Sequence, residues 1–565
     1  MPRFEPNEAN LSRFDFVIIG GGTAGSVLAN RLSSNGKHTV LVLEAGSNTQ
    51  EELLNVRIPL FNSKLKNTNI DWKLKSIAQP HADDRSIGVP QGKILGGSSA
   101  INACLSHRCS PSDFDAWNMP GWEYDQLKHY FCKAETFQDE HFVASENLHG
   151  FTGPLNVMQQ HDDTSNLGKH FTKACQNYGI PQYHDMTDLP CQIGVTGIQS
   201  SVHQGERTST GSAYLPLNIQ QNKSNLFIAL NCTVSRIIVD KETNTATHIE
   251  YFATTDNNKD ALYKVFVSKE AILSAGAILS PLLLLSSGIG PKSELEAVGI
   301  QVIADLPGVG KNLQNHWRVP LVHETTKPEM SLHRSIFEKE KESLERITVL
   351  NEKSALSRAW PDAVAYMKVP NSPDNSSSLT DTPQIELFTG GLALCRELPK
   401  LKDVDCATLL MVYITPFSRG SVTLKSDKTP IIDFGLLQDE RDLKCLEMGL
   451  ELSIKIANDE EYKNNCIKRW ILHPYESTNT TKDHDIKQYI KNHVDTLHHY
   501  AGTCKMGSAE DRNAVVDGNL KVHGIHGLRV IDASFFPIVP AGQICFPVIA
   551  CAEKASDLIL NNYEN

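Results

Sequence analysis

The chain lacks any apolar run of the ~18 residues needed to cross a bilayer; its longest candidates are broken by Ser, Pro or Gly. No transmembrane segment is therefore expected. The N-terminus, MPRFEPNEANLSRFD, has no apolar core of the kind a signal peptide carries and leads straight into the first predicted strand, so a cytoplasmic or otherwise intracellular setting is the expectation. Metal spacing is also missing: the 13 cysteines contain no CxxC and no CxxC joined to a paired HxxxH, which excludes the usual zinc frameworks and leaves buried or free thiols. Nor is there an excess of basic residues. Lys and Arg number 54 against 66 Asp and Glu, and a formal charge of −12 argues against a nucleic-acid partner and favours solubility. Sequons at Asn10, Asn222, Asn231, Asn375 and Asn479 do not decide the compartment, because a chain rich in Asn and Ser produces several by chance. Internal repeats and coiled-coil heptads are absent.

What is present is a chain of 565 residues, too long for one core and of ordinary composition, with 40% hydrophobic and 21% charged residues. Two to four lobes are expected. The rest is organised around Phe14 to Gly46, FDFVIIGGGTAGSVLANRLSSNGKHTVLVLEAG. Phe16 to Ile19 is an unbroken apolar run, as expected of a parallel strand buried on both faces. Gly20, Gly22 and Gly25 fit GxGxxG. The first allows a tight turn, the second lets backbone approach a pyrophosphate, and the third lets the helix pack on the strand. Ala24, Leu28 and Leu32 give that helix a face to bury. Thr39 to Leu43 is a second predicted strand, closed by Glu44 at the distance expected of a carboxylate that accepts hydrogen bonds from a ribose. This is the pattern of a dinucleotide-binding unit.

Beyond Trp72 lies a second glycine-rich segment, QGKILGGSSAIN, from Gln91 to Asn102. Its Gly and Ser residues suit neither strand nor helix interior, and they fit equally a surface turn or a backbone lying flat against a ligand. GKILGGSSAIN resembles the first signature of the glucose-methanol-choline (GMC) flavoprotein oxidoreductases, and GAILSPLLLLSSGIG, from Gly276, resembles their second. The order of LPGVGKNLQNH from Leu306, HxxGTCKMG from His499 and LRVIDASFFPIVPAG from Leu528 agrees with that family. The resemblance covers residues 14 to about 560.

The resemblance implies an α/β fold: a Rossmann-like FAD-binding domain assembled from discontinuous segments (1–155, 225–315 and 490–565) and an α+β substrate-binding domain with an antiparallel sheet (156–224 and 316–489). It assigns FAD to Gly20, Gly22, Thr23, Ala24, Gly25, Glu44, Ala45, Trp72, Gly97, Ser98, Asn102, Ala103, Val234, Asp532, Ala533 and Ile544. Ile101 stands where some members carry a His bonded to the flavin, so non-covalent FAD is expected. Between the domain pieces, residues 327 to 358 read as amphipathic or solvated helix. Asn371 to Pro383 reads as a polar loop, QIELFTGG as a strand, and Met411 to Ser426 as a hairpin around Ser418 to Ser421.

Oxidising an alcohol needs a hydride acceptor and a base for the hydroxyl proton, and a neutral imidazole suits the second task near pH 7. Two histidines adjoin. The family spacing to Gly502-Thr503 selects His499 as the base and leaves His498 a supporting neighbour. Opposite it, where members usually place His or Asn, this chain has Gln543, which can hold a substrate oxygen but cannot exchange a proton. Asn315 replaces a frequent Asp, without an evident consequence.

The expectation is FAD-dependent oxidation of a small-molecule alcohol to an aldehyde or ketone, with electrons passed to O2 or another acceptor. The alternatives on the same scaffold are a hydroxynitrile-lyase-like lyase or cyclase, or a light-driven decarboxylase. Glu386, Phe388 and Tyr413 lie on predicted strands, but aromatics there are more often core, and no cage for a quaternary ammonium is assigned.

Overall fold

The apolar run that opens the glycine unit becomes the strand Arg13–Ile19, buried from Phe16 onward. The computed structural model describes residues 5–564 except 48, 51–52, 140–146, 161–164, 189–192, 217–218, 220–222, 254–260, 349–353, 370–372, 374–381, 397–400, 402 and 477–484. In it Arg13–Ile19 lies inside a seven-stranded sheet ordered Leu226–Ala229, Val40–Leu43, Arg13–Ile19, Leu262–Leu273, Thr245–Ala253, Cys232–Asp240. The seventh strand, Leu528–Val530, pairs in parallel with the end of Leu262–Leu273. The sheet changes character along that 12-residue strand. Its first half runs antiparallel to Thr245–Ala253, while its last residues lie between two parallel neighbours. The parallel half is the part that carries the glycine turn, because its strand ends open together on one edge.

The helix Thr23–Leu32 buries more than the single face its pattern predicts: Ser26, Val27, Ala29 and Asn30 are inside as well. The reason is the C-terminal helix Cys545–Glu564, which packs on its other side. The two are locked by Arg31, whose Nε and Nη2 donate to the buried Glu553 carboxylate at 2.7 and 2.6 Å, while Tyr214 Oη adds a third donor at 2.8 Å.

A second seven-stranded sheet is antiparallel, in the order Ile467–Leu472, Trp317–Thr325, Cys406–Tyr413, Ile385–Gly390, Ala363–Met367, Gly194–Thr196. Asp495–Thr496 joins it at Trp317, although these residues fall within the stretch assigned from sequence to the first domain. The QIELFTGG strand forms as expected, as Ile385–Gly390. Residues 327–358 contain a helical turn, Arg334–Glu338, and a helix, Glu340–Thr348. The loop expected over Asn371 to Pro383 falls almost entirely outside the described residues.

The hairpin expected around Ser418 to Ser421 does not form. Met411–Tyr413 ends a strand of the second sheet, and Ser421–Leu424 pairs instead with Pro430–Asp433. Asp442 enforces the break by accepting from the Phe417 and Ser418 amides at 2.7 and 2.9 Å, and Gly420 then bridges to Leu313. Replacing Glu553 with Ala leaves Arg31 and Tyr214 facing an emptied carboxylate site. It should cost about 3 kcal/mol and lower the thermal midpoint of the holoprotein. Asp557→Ala, at a more exposed carboxylate on the same helix, should cost under about 1 kcal/mol.

Candidate active site

Parallel strands leave their C-terminal ends unpaired, and here those ends meet the second glycine segment. Gly20 has φ +96°, and a Cβ there would stand 2.7 Å from the Ser274 carbonyl oxygen, so only glycine makes the turn without strain. Gly96 N donates to Gly21 O at 2.7 Å, which lays the two glycine segments across each other. Gly97 takes φ +53° beside Gly22. The conformation of QGKILGGSSAIN is therefore not that of a plain surface turn.

Above this crossing lies one continuous cavity of about 670 Å³ reaching from the first sheet to the second. Every residue assigned to the cofactor from sequence lines it except Gly25. Gly25 serves packing instead: a Cβ there would fall 2.0 Å from Gly20 O. Glu44 sits at the end of its strand with one carboxylate oxygen accepting from Gly21 N at 2.9 Å and the other from Gly46 N at 2.7 Å. Burial pushes its pKa up to about 7 against those hydrogen bonds. Asp532 accepts from Gly276 N at 2.8 Å, Ser280 Oγ at 2.6 Å and Ser534 N at 2.8 Å, tying the C-terminal segment to the second signature. Asn102 has its side-chain oxygen engaged by Cys104 N and by Arg207 Nη1 at 2.8 Å. Its amide N–H is thus the group left for a ligand.

The cavity also brings His499 and Gln543 together. His499 Nδ1 lies 2.8 Å from Nδ1 of His316, a buried residue at the mouth of the strand Trp317–Thr325. Burial pushes the His499 pKa down to about 3 and holds His316 well below the ordinary imidazole range, and two neutral rings in this contact need one Nδ1 to donate and the other to accept. Asn315 orders the segment: its Oδ1 accepts from His499 N at 2.9 Å and its Nδ2 donates to Thr496 Oγ1 at 2.8 Å. This gives the Asn-for-Asp difference a role, since an amide both accepts and donates. His498, φ +69°, turns its ring elsewhere, with Nε2 2.9 Å from Lys66 Nζ and Nδ1 3.0 Å from Tyr500 Oη.

Gln543 donates from Nε2 to both oxygens of Glu386 at 3.1 Å, and its Oε1 lies 3.4 Å from Tyr366 Oη. Glu386 and Tyr366 are directly opposite one another on adjacent strands, and burial lifts the Glu386 carboxyl to about 7. Tyr413 pairs with Ile385 and faces the other side of the sheet, so Glu386, Phe388 and Tyr413 do not form a cage. Sequence reasoning missed His316, Tyr366 and the fully buried Arg207 as parts of this site, and weighed Glu386 only for a cation cage. The only available signal was the histidine that ends LPGVGKNLQNH; the others are single residues in segments without a motif.

Residues 14–318 and 416–552 match the two sequence profiles described as GMC oxidoreductase. This chain belongs to the GMC oxidoreductase family. Among curated relatives, ecdysone oxidase from Bombyx mori is 33% identical over 98% of this chain and 83% of its own length. Oxygen-dependent choline dehydrogenase from Vibrio vulnificus is 32% identical over 97% and 94%. Among solved structures, formate oxidase superposes with a TM-score of 0.88 at 27% identity, covering 98% of this chain and 99% of that one.

The protein is thus an FAD-dependent oxidoreductase, and its cavity fits that cofactor. A Cβ at Gly22 would meet no protein atom closer than 3.8 Å, and the backbone there has φ −78°, so nothing in the protein itself requires glycine at this position. A cofactor phosphate bound at the helix N-terminus would. Gly22→Ala should accordingly leave the thermal midpoint of the apoprotein unchanged while weakening FAD binding at least about 10-fold, or ~1.4 kcal/mol, in a fluorescence titration.

Proposed function

We propose that this GMC oxidoreductase oxidises a primary or secondary alcohol to an aldehyde or ketone, with His499 as the base and Gln543 as the residue that positions the hydroxyl. The contact between the two Nδ1 atoms of His316 and His499 is the observation that carries the reading. With the shared proton on His499 Nδ1, donated to His316, Nε2 of His499 keeps its lone pair and has no protein partner among the described residues. That nitrogen takes the hydroxyl proton, and His316 steadies the resulting imidazolium by accepting from Nδ1. Bound FAD supplies the two-electron acceptor for the hydride lost from the carbinol carbon.

Glu386 fixes the polarity of Gln543. An amide oxygen facing two carboxylate oxygens would be repelled, so the N–H end points at Glu386, Oε1 accepts from Tyr366 Oη at 3.4 Å, and the second N–H of Nε2 is the donor that holds the substrate oxygen. Gly20, Gly22, Thr23, Ala24, Glu44, Ala45, Trp72, Gly97, Ser98, Asn102, Ala103, Val234, Asp532, Ala533 and Ile544, which line the cavity, would hold the cofactor. Gly25 acts behind them as a packing residue.

Anaerobic mixing with a panel of aliphatic, aromatic and sugar alcohols should bleach the oxidised-flavin band with at least one class. His499→Asn should slow that bleaching by about 10²- to 10⁴-fold, and His316→Phe should slow it while leaving the flavin content unchanged. A flavin that dithionite reduces but no alcohol bleaches would sink the proposal.

The pH dependence separates the two side chains. His499, with its pKa near 3, stays neutral from about pH 5 to 8 and contributes no limb there. Glu386 carries a raised pKa, so it is protonated below about 7 and becomes the full acceptor for Gln543 above it. kcat/KM should rise through about pH 7 in the wild type, and that limb should be absent in Glu386→Gln.

A further inference from the structure

The substrate end of the cavity collects positive charge in a chain whose net charge is −12. Lys66, Arg318 and Arg396 line the cavity; of its three lining carboxylates, Glu44 and Asp532 accept from backbone amides at the glycine turn and the second signature, which leaves Asp495. Asp495 is committed to Arg318, with Nη2 and Oδ2 3.3 Å apart. Lys66 pairs with no carboxylate among the described residues. One of its three ammonium protons goes to His498 Nε2 at 2.9 Å, and His498 passes the chain on to Tyr500. Arg396 spends a donor on the carbonyl of Asn492 at 2.7 Å. Behind them Arg85 donates to the carbonyls of Lys491 and Val494, and its buried Nε has no partner among the described residues. Asp71, the other carboxylate near Lys66, is already occupied by the amides of Asn67, Lys73 and Gln91.

Such a cluster costs free energy in the empty protein. Burial and the neighbouring Arg318 push the Lys66 pKa down to about 8, and Arg396 acts on Arg85 in the same sense. Lys66 nevertheless remains mostly an ammonium at neutral pH, with two donors left over. Another stretch of the cavity wall is different in kind. Leu105, Trp360, Phe388, Leu392, Leu410 and Leu497 line it with aliphatic and aromatic surface. A polyol or sugar would leave its hydroxyls unpaired against that wall. A cationic alcohol would meet like charge at the end of the cavity.

We propose that the substrate is an alcohol with an apolar body and an anionic group, a hydroxy acid in the simplest case, whose carboxylate is bound by Lys66 with Arg318 and Arg396. The assignment rests on the alcohol-oxidation reading only for where the hydroxyl lies. The anion subsite itself stands or falls separately.

The test uses the FAD-loaded protein and a series of terminal hydroxy acids, each matched with its methyl ester and with the plain alcohol of the same length. In anaerobic flavin reduction the best acid should half-saturate at a concentration at least about 10-fold below its ester. In Lys66→Gln that ratio should collapse toward unity, and Arg396→Gln, changed at an exposed side chain, should reduce it in the same direction.

A second arm needs no turnover. Saturated straight-chain carboxylates should bind the oxidised protein by calorimetry and shift the flavin band, and Lys66→Gln should weaken that binding. Carboxylates that bind without any alcohol being oxidised would support the subsite while removing the oxidation reading. Acids and esters that half-saturate alike, or a ratio untouched in both variants, would overturn the subsite.

Discussion

Everything in this molecule depends on a backbone-to-backbone approach. The turn after the first strand and the segment from Gly92 to Gly97 cross at a distance that leaves no room for side chains: a Cβ on Gly97 would stand 2.7 Å from the Gly22 Cα, and one on Gly92 2.2 Å from Gly97 O. The crossing roofs the open edge of the parallel strands and forms one side of the cavity that would take a dinucleotide. The rest of the chain arranges its pieces around that cavity. Asp532 ties the C-terminal segment to the second signature, and Glu553 clamps the last helix onto the helix that begins at Thr23.

Around the cavity, burial sets the chemistry more than charge does. His316, His498 and His499 are all held neutral by loss of water, and Glu44 and Glu386 are lifted to about 7 for the same reason. A site so desolvated strengthens each remaining polar contact. The contact between two imidazoles and the oriented Gln543 amide are the polar contacts so strengthened. The positive end, with Lys66 paired to no carboxylate among the described residues, is the exception to this economy. Its cost in the empty protein is the reason to look for its partner in the substrate.

Strands and helices were legible wherever a local pattern was strong. The apolar run before Gly20 and the QIELFTGG strand follow from residues within one element, so local physics decides them. The hairpin expected around Ser418 failed because the deciding residue, Asp442, lies more than twenty positions away in a helix and captures two amides of the turn. Likewise the helix Thr23–Leu32 reads as one-sided in sequence. Its other side is covered by the end of the chain, which no window around it contains.

By itself the sequence determined the family, the FAD, the glycine turn after the first strand and the two side chains, His499 and Gln543, that share the cavity. These are carried by short motifs in which neighbouring residues must meet one ligand together, so their spacing is preserved along the chain. Only the tertiary structure decided what acts on those side chains. His316 reaches His499 across 183 positions, Glu386 reaches Gln543 across 157, and Lys66 reaches His498 across 432. None of these partners belongs to a pattern around itself. They meet because two sheets built from interleaved segments face each other over one cavity, and only folding makes such distant residues neighbours.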